Sequence, residues 1–172
     1  MVNFMKKETG FTLIEFMIYG VIVSFMVGAL IMAGSNIMEG RARVEVMQEV
    51  SHNARVALSR ITYHIRRAEG VNVLNPGDES DELSLQMSDT DNDPTIFSIN
   101  EDNALVVKKG TKDPVEITSS NIEVSFLKFT NLSGSSGKDS IRIEITVGHK
   151  NPTGRQLYDF EETFYLTETA RR

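Results

Sequence analysis

The chain has 172 residues, of which 40% are hydrophobic, and this is enough apolar sequence for one compact domain. Its formal net charge of −6 argues against broad affinity for nucleic acids, which requires dense lysine and arginine, although a local basic patch stays open. The absence of cysteine excludes disulfide bonds, thiolate zinc sites and thiol nucleophiles.

An almost wholly apolar segment runs from Phe11 to Ala33. As a helix it would be about 35 Å long, which is enough to cross a hydrocarbon core of roughly 30 Å. Lys6 and Lys7 precede it, so the positive-inside rule predicts a cytoplasmic N-terminus and an extracytoplasmic remainder. The apolar region of a secretory signal is only about 7–15 residues long, so the segment predicts a single-pass membrane helix.

Glu15 is a lone carboxylate inside this apolar segment. A charge held at the bilayer centre costs on the order of 2.5–3.5 kcal/mol, so we expect a compensating arrangement. Glu15 either reaches water at the headgroup interface or has a cationic partner.

The residues before Glu15 favour the second alternative. Lys6-Lys7-Glu8-Thr9-Gly10-Phe11-Thr12-Leu13-Ile14-Glu15 resembles the cleavage and methylation signature of type IV prepilins, including the pseudopilins of type II secretion. The resemblance implies a leader over residues 1–10, cleavage between Gly10 and Phe11 by a prepilin peptidase, and N-methylation of Phe11. It also implies that Glu15 neutralises the Phe11 amine of a neighbouring subunit. Its implied partners are other pilins, an assembly platform and its ATPase, and its implied location is the inner membrane and then an extracytoplasmic filament.

The segment from Ser35 to Glu69 contains no proline and is predicted to continue the helix, with Gly70 as its stop. Residues 11–34 would form the membrane half and residues 35–70 an amphipathic half. The apolar face of that half is predicted to comprise Val44, Met47, Val50, Ala54, Ala57 or Leu58, Ile61, Ile65 and Ala68.

Four glycines interrupt this helix and serve either close packing between helices or no special purpose, because membrane helices tolerate glycine. They are Gly20, Gly28, Gly34 and Gly40. Many type IV pilins have a proline where this chain has Met32, so a proline kink is not expected.

Residues 71–172 change to the alternating pattern of strands and are predicted to form a β-rich head. The predicted strands cover 83–87, 95–99, 104–107, 115–118, 121–130, 140–147 and 156–167, with Ile122, Val124 and Phe126 on one buried face. An antiparallel sheet packed on the amphipathic half of the helix gives an α+β fold, which the resemblance identifies as the pilin fold.

The helix sequence from Asn53 to Ala68, followed by this strand order, resembles the J-type minor pseudopilins and related minor pilins. This favours a minor subunit over a major one. Two other functions stay open, namely a tip subunit whose head binds a surface or DNA, and a single-span protein that never assembles.

No enzyme motif is present in the sequence, and no cofactor is expected. Asp89, Asp91 and Asp93 alternate as at the start of a calcium loop, but Pro94 stands where that loop needs glycine, so a solvated turn is favoured. His52, His64 and His149 are not expected to converge. Asn131-Leu132-Ser133 fits the short glycosylation pattern, which is common by chance.

Six arginines make the middle of the helix locally basic. These arginines are Arg41, Arg43, Arg55, Arg60, Arg66 and Arg67. Contacts of this basic region with other subunits or with solvent are favoured over contacts with DNA.

Overall fold

The structure is a computed structural model that describes residues 10, 12–72, 74–133 and 139–170. These residues form one long helix followed by nine strands, and two short 3₁₀ turns at Thr90–Asn92 and Gln156–Tyr158. The elements are α1 (Leu13–Arg67), β1 (Gly70–Val71), β2 (Glu79–Ser80), β3 (Leu83–Gln86), β4 (Thr95–Ile99), β5 (Leu105–Lys109), β6 (Val115–Glu116), β7 (Ile122–Asn131), β8 (Ser140–His149) and β9 (Glu161–Thr169). The α+β class is confirmed.

The chain divides into two compact units, an N-terminal unit of residues 1–42 and a C-terminal unit of residues 43–172. Within the C-terminal unit the strands form two antiparallel sheets, with the orders β1-β3-β4-β5-β6 and β2-β7-β8-β9. The prediction of one sheet was therefore wrong. Alternation along a strand shows which side chains share a face, but it carries no information on which strands pair.

The predicted role of Gly70 as the helix stop is also wrong. Helix α1 ends at Arg67, and the Ala68 amide donates to the carbonyl oxygen of Ile65 over 3.2 Å. Gly70 of β1 then pairs with Gln86 of β3, and the amide of Glu69 donates to the Gln86 carbonyl over 2.9 Å. The helix ends because its next backbone groups enter the first sheet.

One hydrophobic core fills the C-terminal unit, and helix α1 and both sheets contribute to it. Phe97 comes from the first sheet and Phe129 from the second, and both are fully buried. The helix contributes Val50, Ala54, Ala57, Ile61 and Ile65.

The predicted helix face was correct from Val50 onward but wrong at its start. Val44 and Met47 are exposed, while Val46 is buried. At 100° per residue, Val46 lies about 40° from Val50 around the helix, whereas Met47 lies about 60° and Val44 about 120° away. Steps of three and four residues drift around the helix, so the apolar positions in a sequence do not all share one face.

Phe126 was predicted to be buried and is 42% exposed. A β-bulge lies between Val124 and Phe126, so strand β7 continues with Leu127 and Phe129 toward the core. One extra residue in a strand exchanges its two faces from that point onward.

Two observed strands were not predicted, and the last strand begins later in the structure than was predicted. β1 and β2 are two residues long, too short to show an alternating pattern. The last strand begins at Glu161, because Gln156–Tyr158 forms a 3₁₀ turn.

Candidate functional site

The N-terminal unit presents apolar side chains to its surroundings. Phe16, Phe25 and Leu30 are each at least 70% exposed, and none of the described side chains from Leu13 to Met32 is buried. Within the described chain, α1 is the one helix that is long and apolar enough to cross a membrane. A membrane interior or other apolar helices would remove these side chains from water.

Two serines in this segment satisfy their hydroxyl groups within the helix. The Oγ atom of Ser24 donates to the carbonyl oxygen of Gly20 over 2.7 Å, and that of Ser35 donates to Ile31 over 3.0 Å. Neither hydroxyl needs water or another chain, so both residues are compatible with an apolar surrounding.

The four helix glycines pack against none of the described residues outside the helix backbone. A side-chain carbon added at Gly20, Gly28, Gly34 or Gly40 would have no described atom of the chain within 4 Å, apart from the adjacent helix backbone. Any close packing that these glycines allow therefore does not involve the described residues of the chain.

Thr12 begins the helix, a role that was not predicted from the sequence. Its Oγ1 atom accepts a long hydrogen bond of 3.4 Å from the Glu15 amide, and its carbonyl accepts one of 3.1 Å from Phe16. Thr12 and Glu15 occupy the first and last positions of the capping box pattern, Ser or Thr followed three residues later by Glu or Gln. That spacing was visible in the sequence.

Glu15 lies in the first turn of α1 and is partly exposed. In the part of the chain that the structure describes, its carboxylate has no hydrogen-bond or ion-pair partner. A carboxylate is favourable at a helix N-terminus because of the helix dipole, so Glu15 has a local structural role as well as its predicted role in assembly.

The predicted cleavage site is described only in part. Gly10 is exposed, and an added side-chain carbon there would meet nothing within 4 Å. Phe11, Lys6 and Lys7 lie outside the described residues.

The basic side chains of α1 in the C-terminal unit have different surroundings. Arg66 donates to Glu168 over 2.9 Å, and this hydrogen bond raises the pKa of Arg66 and lowers that of Glu168. Arg67 lies over the Tyr63 ring at 5.2 Å and donates to its hydroxyl over 2.8 Å. Arg60 lines a small groove beside β5.

The three histidines have separate environments. His64 lies between Tyr63 and Phe97, with ring centroids 5.3 and 5.6 Å away. Burial and the nearby charges of Lys109, Arg67 and Arg60 lower the pKa of His64 to about 4. His149 stacks on Tyr158 and lies 3.6 Å from Glu49, while His52 is exposed on α1.

The three aspartates singled out as a calcium candidate lie in and beside the 3₁₀ turn before β4. Asp89 accepts from the Asp91 amide over 3.1 Å and from the side-chain amide of Asn92, and Asp93 accepts from the Met87 amide over 2.9 Å. Among the described residues, no group of three or more His, Asp or Glu side chains is placed to hold a metal ion. These hydrogen bonds give Asp89 and Asp93 a role in shaping the turn.

Asn131, in the possible glycosylation pattern, is 2% exposed. Its Nδ2 atom donates to the carbonyl oxygen of Leu74 over 2.8 Å, and its Oδ1 atom accepts from the Ser133 amide over 2.9 Å. The nitrogen that a sugar would modify is thus buried and hydrogen-bonded, so Asn131 stabilises the fold and is not accessible for glycosylation.

Comparison of the chain with protein-family models, with curated proteins and with solved structures gave no match.

Proposed function

We propose that this chain is a structural subunit of a type IV pilus-like or type II secretion pseudopilus filament. The apolar part of α1 would hold the precursor in the membrane, and a prepilin peptidase would cut between Gly10 and Phe11. The mature subunit would then enter the filament by packing this segment against those of other subunits. An assembly platform and its ATPase would drive that step.

The observation that carries the proposal is the lone carboxylate of Glu15 in the part of α1 from Leu13 to Met32, where the side chains are predominantly apolar and none is buried. Cleavage would create a cationic amine on Phe11, four residues away in sequence. Two opposite unit charges 4 Å apart attract by roughly 4 kcal/mol at an effective dielectric constant of 20. The Phe11 amine of one subunit and Glu15 of the next could therefore compensate each other and fix the register between subunits.

N-terminal mass spectrometry of the protein from native membranes and from the sheared surface fraction tests the proposal. We expect a mature chain that begins at N-methylated Phe11. The variant Gly10→Ile should keep the intact N-terminus, because a branched side chain blocks access to the cut bond, whereas Gly10→Ala should still be cut. An intact N-terminus in peptidase-positive cells would instead indicate a membrane-anchored protein that does not assemble.

A further inference from the structure

A small groove on the C-terminal unit collects three positive charges. It has a volume of about 140 Å³ and lies between helix α1 and the end of β5. We call it the basic groove, and its lining consists of Arg60, Val107, Lys109, Lys112, Asp113 and Val115. Among the described residues, Arg60, Lys109 and Lys112 have no hydrogen-bond or ion-pair partner for their side chains.

The surroundings of His64 indicate that the electrostatic potential beside the basic groove is positive. It neighbours the groove on α1, and after burial the charge of Lys109 is the next largest influence that lowers its pKa, with Arg60 also contributing. Asp113 also lines the groove, so three cationic side chains face one carboxylate there. A groove of this size with two valines in its lining fits one or two acidic side chains of another protein.

Acidic side chains gather at the opposite end of the same sheet. β3 and β5 are both antiparallel to β4, and Leu83 aligns with Phe97 and Phe97 with Val107. The residues just before β3 therefore share one end of the sheet with the β4–β5 turn, while Lys109 lies at the other end. We call the first the acidic end, and it comprises Asp81, Glu82, Glu101 and Asp102.

The carboxylates of the acidic end are available for a partner. All four residues are exposed, and none of the four carboxylates has a hydrogen-bond or ion-pair partner in the described chain. Strand β5, which separates the two ends, spans about 17 Å at roughly 3.4 Å per residue.

We propose that the acidic end of one copy docks into the basic groove of the next copy. A contact between two different surfaces of one chain is heterologous, and when its rotation does not close it generates an open helical filament. The inference rests on the proposed function and deepens it by naming a second contact between subunits. It requires at least two successive copies of this chain, so its confirmation would favour a major subunit over the minor subunit that the helix sequence favours.

These ion pairs would orient the subunits more than hold them together. Exposed ion pairs contribute little stability, whereas complementary charge suppresses wrong orientations. The apolar helices would supply the main affinity.

Disulfide cross-linking tests the contact without background, because the chain has no cysteine. Two full-length chains with different tags would be expressed together, one with Asp113→Cys, which keeps all three cations, and one with Asp102→Cys. We expect an oxidised heterodimer, since docking would bring these positions within the ~7 Å between Cα atoms that a disulfide requires. Lys109→Glu in the first chain should lower its yield about fivefold, and Glu101→Lys in the second should restore most of the loss.

Lys108→Glu is the matched control, because it makes the same charge change on the opposite face of β5 and should leave the yield unchanged within about twofold. Processing at Phe11 and recovery in the sheared fraction are measured on the same samples. Processed, assembled protein without the heterodimer would overturn this inference and leave the proposed function standing. Failure to be processed and to assemble, together with no heterodimer, would overturn both.

Discussion

At the scale of single residues, Asn131 is a buried polar side chain that holds two segments of the chain together. It is buried at the end of β7, where it connects the Leu74 segment before β2 to the residues that follow β7. A buried carbonyl group that loses its donor bears the cost of desolvation without compensation. Because Leu74 is itself buried, water cannot easily replace the Asn131 amide.

We predict that Asn131→Ala lowers the free energy of unfolding of the C-terminal unit by about 1–3 kcal/mol. Thermal unfolding of the full chain in detergent, followed by the β-sheet circular dichroism signal, measures the loss. Asn75→Ala is the control, because Asn75 is exposed and, among the described residues, its side chain bonds only to Asp78, so the change should stay within about 0.5 kcal/mol. Equal losses in the two variants would show that the Leu74 hydrogen bond is unimportant.

His64 should make the stability depend on pH. Its folded pKa is about 4 against 6.5 for the free side chain, so the unfolded state binds its proton first as the pH falls. The stabilisation from neutral His64 is therefore complete above about pH 7 and is lost as the pH falls toward 4. Each pKa unit corresponds to about 1.4 kcal/mol, and because His64 is only partly buried we expect a loss of about 1–2 kcal/mol in total.

Denaturant unfolding at pH 7 and pH 4.5 measures how the free energy of unfolding depends on pH. His64→Gln should have a shallower pH dependence than the unchanged chain, because the glutamine side chain does not titrate. Lys109→Gln should lie between the two, since removing that charge raises the pKa of His64. The same slope in all three proteins would rule out His64 as the titrating group.

At the scale of elements, the sequence allowed helix α1 to be predicted well because its signals are long. The apolar run, the lack of proline and the spacing of Val50, Ala54, Ile61 and Ile65 identify the helix and its buried face. The two ends were less predictable. The capping pattern of Thr12 and Glu15 is present in the sequence but was not part of the prediction. The end at Arg67 depends on the hydrogen bond from Glu69 to Gln86, which is distant in sequence.

The strands were predictable where alternation ran for four residues or more. Alternation could not show the two-sheet arrangement, because pairing is a property of two segments at once. Phe126 illustrates the limit. The apolar pattern changes phase between Phe126 and Leu127, but this does not show on which side of Phe126 the bulge lies, and so it does not show which face Phe126 occupies.

The candidate sites divide in the same way. Glu15 was predicted because a lone charge in an apolar run can be recognised from the sequence alone. The basic groove was not, because Arg60 comes from α1, Lys109 from β5 and Lys112 from the turn that follows. The basic character of the helix around Arg60 was visible, but its lysine neighbours became apparent only from the fold.

At the scale of the whole molecule, Glu15 has two separable roles. As the last residue of a capping-box pattern it favours the start of α1, and that pattern accepts glutamine as well as glutamate. As the proposed partner of a neighbouring Phe11 amine it needs its negative charge. Glutamine keeps the first property and loses the second.

We therefore predict that Glu15→Gln is processed and held in the membrane like the unchanged chain but is reduced at least tenfold in the sheared filament fraction. An uncompensated charge in the membrane costs on the order of 2.5–3.5 kcal/mol, and about 1.4 kcal/mol corresponds to a factor of ten, so the loss of the pair justifies that magnitude. Glu39→Gln is the matched control, because Glu39 is exposed on the same helix beyond the apolar run and should assemble normally. Quantitative immunoblotting of the membrane and sheared fractions gives both numbers. If Glu15→Gln assembled normally while Glu15→Leu did not, capping would explain the need for Glu15, and the proposed charge pairing between subunits would be wrong.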